Sequence, residues 1–226
     1  GMLQLFYGGT FDPIHNGHVA IARAARDELQ APVRLMPAAD PPHRAPPGAS
    51  AQQRAHLLDL AVVDEAGLCV DRRELLRAER MPETRSYTVA TQHQLRAEQG
   101  DTVPVALLIG ADSLLGLPTW RAWQSLFALT HFIVADRPGS PLDAGLPAEL
   151  GDLLATRWTS SPEALCDVPS GLVYRLSHAL QPESATDIRR RIAAGEPWRH
   201  LVPAPVAAAI ADERLYLDRA TTPGPL

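Results

Sequence analysis

The chain has 226 residues and a net charge of −5, with 46% apolar and 21% charged residues. That length is enough for one large α/β domain with a real core, and the composition is ordinary for a globular chain. The acidic balance argues against a protein that grips nucleic acid through its backbone, yet a few local cations or a helix N-terminus can still hold a small anion.

No apolar run approaches the roughly 20 residues that span a bilayer, and no signal peptide precedes the first strand. No membrane partner and a cytoplasmic location are therefore expected. Gly1 before Met2 reads as the scar of a cleaved tag. The two cysteines, Cys69 and Cys166, lie far apart in sequence. Two buried, reduced thiols are expected, not a disulfide or a metal pair.

In chain order, "LQLFYGG" (3–9) reads as a buried strand ending in glycines, and "NGHVAIARAARDEL" (16–29) as an amphipathic helix. "VRLMP" (33–37) is a second short strand, and "DPPHRAPPG" (40–48) is too rich in proline for regular structure. Ser50 caps a helix running to about Glu65, and "LCVD" (68–71) is a third strand. "SYTVATQHQLRAE" (86–98) is helical after Ser86. "VPVALLIG" (103–110) and "HFIVAD" (131–136) are apolar runs of the kind covered on both faces. Residues 137–150 form a loop with helix propensity at its end, and 151–172 give little signal. "LVYRL" (172–176) is a strand and "ESATDIRRRIAAGE" (183–196) a helix.

Strands alternating with helices predict an α/β, Rossmann-like, doubly wound and mainly parallel sheet with helices on both faces. We expect one domain over 2–218, a small helical C-terminal part over about 183–218, and a frayed tail over 219–226. Ligands in such sheets bind beyond the carboxyl ends of the strands, at a switch point. Gly8–Gly9, Gly110–Asp112 and Asp136–Arg137 fall at such ends.

The densest chemistry is "GGTFDPIHNGH" (8–18). Gly8 and Gly9 allow a sharp turn and close backbone approach. Gly17 leaves the helix start open, with free N–H donors and a partial positive charge suited to phosphate. His15 and His18, three apart, project to one side. The bland alternative is that one or both histidines cap and pack. A zinc pair lacks a third ligand at motif spacing, and the stretch has neither the G-x-G-x-x-G of a hydride-transferring enzyme nor the Lys-Ser/Thr of a P-loop.

This stretch resembles the signature of nucleotidyltransferases with a (T/H)-x-G-H motif, and within them the bacterial nicotinate mononucleotide adenylyltransferases. "PAADPPHR" (37–44), "RSYTVAT" (85–91), "IGADSLLGLPTWRAW" (109–123) and "ESATDIRRRI" (183–192) resemble further segments of that family, in order. Arg44 stands where lysine is usual, and Glu183, Ala185 and Ala90 replace an apolar residue, a serine and an acid. Arg44 keeps the charge with changed geometry, whereas Ala185 loses a hydroxyl.

The resemblance implies attack of the 5′-phosphate of nicotinate mononucleotide on the α-phosphorus of ATP. Such chemistry needs positioning and charge neutralisation more than a covalent nucleophile. It implies His15, His18 and Arg189 as catalytic residues. Gly8, Gly9, Thr10, Gly110, Asp112, Ser184 and Thr186 would bind ATP, with Asp112 on the ribose; Asp112 capping a helix from Ser113 is the plain alternative. Arg44, Thr88 and Trp120 would bind the mononucleotide, Trp120 stacking on its pyridine ring with Trp123 as packing partner. Arg190 and Arg191 read as solvated. Mg²⁺ would accompany ATP, held by phosphates and water, with no protein metal site. ATP and nicotinate mononucleotide are the partners, and a homo-oligomer is compatible with the sequence. Competing readings are a phosphopantetheine or nicotinamide mononucleotide adenylyltransferase, or a nucleotide-binding regulator without turnover.

Overall fold

The structure is a computed structural model, and it describes residues 2–40, 48–83, 85–136, 142, 145–178 and 184–217. Its strands are β1 (Gln4–Gly9), β2 (Val33–Pro37), β3 (Leu68–Val70), β4 (Val105–Gly110), β5 (His131–Ala135), β6 (Trp158–Thr159) and β7 (Val173–Arg175). Its helices are α1 (Asn16–Leu29), α2 (Ala51–Val62), α3 (Arg73–Arg80), α4 (Thr88–Gln99), α5 (Ala111–Leu115), α6 (Ala148–Leu154), α7 (Pro162–Asp167), α8 (Ala185–Ala194) and α9 (Ala204–Asp212). Short 3₁₀ turns lie at Leu117–Thr119, Trp123–Ala128 and Arg199–Leu201.

The strands form one sheet in the order β3-β2-β1-β4-β5-β7-β6, and every pairing is parallel. The order reverses between β1 and β4, which places the crevice of a doubly wound sheet at their carboxyl ends. The central strands alternate between two cores, as a sheet covered on both faces requires. Leu5, Tyr7, Ala106, Leu108 and Ile133 face the core shared with α1, α2, α8 and α9. Phe6, Leu107, Ile109, Phe132 and Val134 face the core shared with α4, α5 and α6.

The expected strands and long helices are present with ends shifted by a few residues. The reading missed α3. It has one buried residue, Leu75, so it shows no apolar stripe; a start at Asp71, whose carboxylate accepts from Arg73 N (3.0 Å), was the available signal. The weak stretch 151–172 holds β6 and α7, the latter capped by Ser161 with Pro162 at its first position. The thiols are both free, but Cys69 is exposed and Cys166 only half-buried. Burial fails at Cys69 because β3 is the sheet's edge. The expected tail, 219–226, lies outside the described residues. No helix among the described residues is long and apolar enough to cross a membrane.

Candidate active site

Gly8 and Gly9 lie inside β1, and the sharp turn expected of them falls to Phe11, whose backbone is left-handed (φ 53°). Gly9 is needed for close approach: a Cβ there would come within 3.2 Å of the Phe11 ring. The chain then passes through a cis Asp12–Pro13 bond. Asp12 is buried and ties three segments together. Its Oδ1 accepts from Ala49 N (3.0 Å) and from the Tyr216 hydroxyl (2.6 Å), and its carbonyl accepts from Arg189 Nη1 (2.7 Å).

The histidines cap α1 and do so reciprocally. His15, in extended conformation, is the N-cap, and its Nδ1 accepts from Gly17 N (3.1 Å) and His18 N (3.4 Å). His18 Nδ1 accepts in turn from His15 N (3.1 Å). The two rings stack with centroids 3.6 Å apart. The helix start is therefore not open as Gly17 suggested; its second and third N–H groups are taken by His15.

Because each Nδ1 accepts a backbone N–H, a neutral ring must carry its proton on Nε2. Burial lowers the His15 pKa to about 4. Burial, and then the charge of His15, hold His18 well below the ordinary imidazole value. At neutral pH the site thus presents two neutral Nε2–H donors, not imidazolium.

The sign of the linkage follows. Between the ordinary pKa of 6.5 and about 4, the unfolded chain binds protons that folded His15 refuses, so stability is full above pH 6.5 and declines as pH falls through that window. His18 and buried His131 act in the same direction. Melting from pH 7 to 4 is expected to show this decline, and His15→Asn, which keeps a cap acceptor, should make it shallower. An unaltered decline would contradict the assignment.

Ser184 caps α8, its Oγ accepting from Asp187 N (3.2 Å). The Asp187 carboxylate bonds Arg190 (2.9 Å) and Arg191 (2.8 Å), so only half of a capping box forms. Arg190 and Arg191 are thus ion-paired, Arg190 also with Glu196 (2.9 Å). Arg189 instead reaches Asp12 and, through Nη2, the Thr186 hydroxyl (3.3 Å). This latches α8 onto the loop that carries the histidines. Ile188 and Ile192 are buried beneath it.

At the end of β4, Gly110 is the N-cap of α5, and a Cβ there would meet nothing within 4 Å. Asp112 is exposed in the first turn, because α5 begins at Ala111 and not at Ser113. A carboxylate there complements the helix dipole.

A cleft of about 200 Å³ opens beside these strand ends, where a doubly wound sheet places its ligand. Gly8, Gly9, Thr10, Thr88 and Trp120 line it. His15, His18, Ser184, Thr186 and Arg189 do not; they form a second group, which the β1–α1 loop joins to the cleft through the Arg189–Asp12 contact. Gly110 and Asp112, at the end of β4, do not line the cleft either. Trp120 is half-buried and extended, outside any helix, while Trp123 packs against Phe127 (6.5 Å). Arg44 and Arg137 lie outside the described residues.

Sequence reasoning missed Glu74, Thr91 and Gln92 in the cleft wall, and Arg54 beneath it. Arg54 is 1% exposed. It donates to the carbonyls of Thr10 (2.5 Å), Ala38 (2.8 Å) and Ala49 (3.3 Å) and to Asp40 Oδ1 (3.1 Å). Among the described residues no three His, Cys, Asp or Glu side chains converge as a cation site.

Residues 6–191 match the cytidylyltransferase-like family. A probable nicotinate-nucleotide adenylyltransferase of Stenotrophomonas maltophilia is 57% identical, covering 98% of this chain and 99% of that protein. One from Xylella fastidiosa is 45% identical over 95% and 96%. The fold of a Plasmodium falciparum nicotinic acid mononucleotide adenylyltransferase, complexed with NaAD, superimposes with a TM-score of 0.68 at 11% identity, covering 96% of this chain and 98% of that one. With near full-length identity of this order, the chain belongs to the cytidylyltransferase-like family and, within it, to the nicotinate-nucleotide adenylyltransferases.

Proposed function

We propose that the chain transfers the adenylyl group of ATP to nicotinate mononucleotide, yielding deamido-NAD and pyrophosphate. The observation that carries this reading is the joining of two unlike half-sites by one loop. On one side stand two imidazole donors and Arg189; on the other is a cleft with an aromatic wall at Trp120 and a helix start at Thr88.

An oxygen of the mononucleotide's 5′-phosphate attacks the α-phosphorus. The bond from that phosphorus to the oxygen bridging to the β-phosphorus breaks, and pyrophosphate departs with the electron pair. A phosphate monoester is already largely dianionic at neutral pH, so the nucleophile needs no general base. The task left to the protein is alignment and stabilisation of charge on the transferring and leaving groups. His15 and His18 serve it through Nε2–H, and Arg189 through its charge, held in place by Asp12 and Thr186. Ser184 and Thr186 at the start of α8, Thr10 and the backbone of Gly8 and Gly9 complete the ATP contacts, with Gly110 and Asp112 at the ribose. Arg44 supplies a further cation to the mononucleotide.

A magnesium ion entering with the triphosphate would be held by phosphate oxygens and water and would need no cage of side chains. It would neutralise charge on the phosphates.

Trp120→Ala should weaken nicotinate mononucleotide by about 1–3 kcal/mol, the usual worth of one base–aromatic stack, which is roughly 5- to 150-fold in Kd. ATP binding should change less than about threefold. Equal losses for both ligands, measured by calorimetry, would count against stacking.

Pyrophosphate release from ATP separates the competing readings. With nicotinate mononucleotide, its amide and phosphopantetheine as acceptors, the acid should be the best. Preference for phosphopantetheine would overturn the acceptor, and no release with any would overturn the enzyme.

A further inference from the structure

The end of the chain reaches the phosphate side of the site through a single hydroxyl. Tyr216 lies four residues past the end of α9 and is buried in the core shared with α1, α2 and α8. A phenylalanine would fill that space as well. The backbone arrives there through two left-handed residues that are not glycine, Arg214 (φ 54°) and Tyr216 itself (φ 67°). Bulky side chains seldom adopt that conformation, and it persists where surrounding contacts over-determine it, often near functional sites. The contact here is the hydroxyl's 2.6 Å bond to Asp12 Oδ1, across 204 residues of sequence. Asp12 Oδ2 has no hydrogen-bond partner among the described residues, so Ala49 N and the Tyr216 hydroxyl are the two donors holding this buried carboxylate. Gly48 makes room for the pair: a Cβ there would come within 2.6 Å of Asp12 Oδ2 and 2.8 Å of the Tyr216 ring. Burial, and next the charge of Asp12, push the Tyr216 pKa up, so the hydroxyl keeps its proton and donates. Arg189 is close enough to act on the same hydroxyl electrostatically, and its Nη1 rests on the Asp12 carbonyl (2.7 Å).

Resting on the adenylyl-transfer reading above, we propose that Tyr216 is a positioning residue for the transfer: by holding the Asp12 carboxylate it fixes the Asp12 carbonyl that aims Arg189 at the phosphates. It acts through Asp12 and needs no contact with substrate. Without the hydroxyl the carboxylate keeps one donor, Ala49 N, and is free to turn. Arg189 then loses the fixed acceptor that aligns it, while its charge stays in the site.

The test is the kinetics of pyrophosphate release from ATP and nicotinate mononucleotide in wild type, Tyr216→Phe, Arg189→Ala and the double variant. Tyr216→Phe keeps the ring in the core and should lower kcat about tenfold or more with each KM within about twofold, since a misaimed cation is missed chiefly in the transition state. Arg189→Ala should lower kcat by about 100-fold or more. In the Arg189→Ala background, Tyr216→Phe should cost less than about twofold, because the group it aims is gone. A hydroxyl that served only the fold would cost the same factor in both backgrounds. Should Tyr216→Phe fail to fold, Gly48→Ala decides: its methyl parts Asp12 from Tyr216 with both side chains present, and the same Arg189-dependent loss of kcat is expected. Equal cost in both backgrounds, unchanged kcat in the folded variant, or a loss confined to KM would each overturn the assignment. Wild type inactive with the mononucleotide would bring down the functional reading and this one with it. Wild type active, with the costs of Tyr216→Phe and Arg189→Ala multiplying in the double variant, would overturn the role of Tyr216 alone.

Discussion

His18→Asn leaves a folded protein whose kcat is lower by about 10²- to 10³-fold, the usual cost of removing one preorganised donor to developing negative charge. The choice of asparagine follows from the double duty of the ring. Nδ1 of His18 accepts from His15 N, and the asparagine Oδ1 lies near enough to that position to keep accepting. What asparagine lacks is the Nε2–H. His18→Gln can keep both functions: a glutamine Oε1 at the third helical position accepts from the N-cap N–H, as Gln53 does from Ser50 N in α2 (2.9 Å), and its amide N–H reaches toward the Nε2 position. The glutamine variant should therefore be about as stable as the asparagine variant and more active. Near-normal kcat in folded His18→Asn, or no gain in kcat from asparagine to glutamine at comparable Tm, would contradict a donor role and leave His18 as a cap alone.

Arg54→Met lowers stability by roughly 3–5 kcal/mol, the range for removing one partner of a buried charged network. At about 2–4 °C per kcal/mol for a chain of this size, Tm should fall by about 10 °C. The guanidinium joins the end of β1 through Thr10, the stretch leaving β2 through Ala38 and Asp40, and the segment entering α2 through Ala49. Methionine fills much of the volume and donates nothing, so three carbonyls and a carboxylate lose their donor. Arg54→Lys keeps a charge but cannot span the same acceptors with a single ammonium; it should fall between the two. Since Thr10 lines the cleft, kcat/KM should drop in Arg54→Met even at temperatures where it stays folded. A Tm within about 2 °C of wild type would show that the carbonyls find other donors and that Arg54 does not hold the cleft's backbone.

The sheet was legible because its central strands are continuous apolar runs. Their burial on both faces left a signal that local pattern could carry, as at Val105–Gly110 and His131–Ala135. α3 was not legible, since one buried leucine makes no periodicity, and Trp158–Thr159 is too short for any. In the site, the loop from Gly8 to His18 stood out because its residue types are rare at that density. The roles of its members were less legible. Two histidines three apart said nothing of which nitrogen faces the backbone, and that choice fixes tautomer and charge. Arg54, Glu74 and Gln92 were invisible for a related reason: a polar side chain becomes informative when it is buried, and burial is set by contacts between elements distant in sequence. Asp187 shows the converse. Its spacing from Ser184 fits a capping box, yet Arg190 and Arg191 compete for its carboxylate and win.

Adenylyl transfer to the ring mononucleotide is tested most directly by following the α-phosphorus. With ATP labelled at that atom and nicotinate mononucleotide as acceptor, the label should appear in deamido-NAD in equal amount to unlabelled pyrophosphate. Label retained in AMP or ADP with no dinucleotide formed, or a product carrying phosphorus from the β or γ position, would contradict the account.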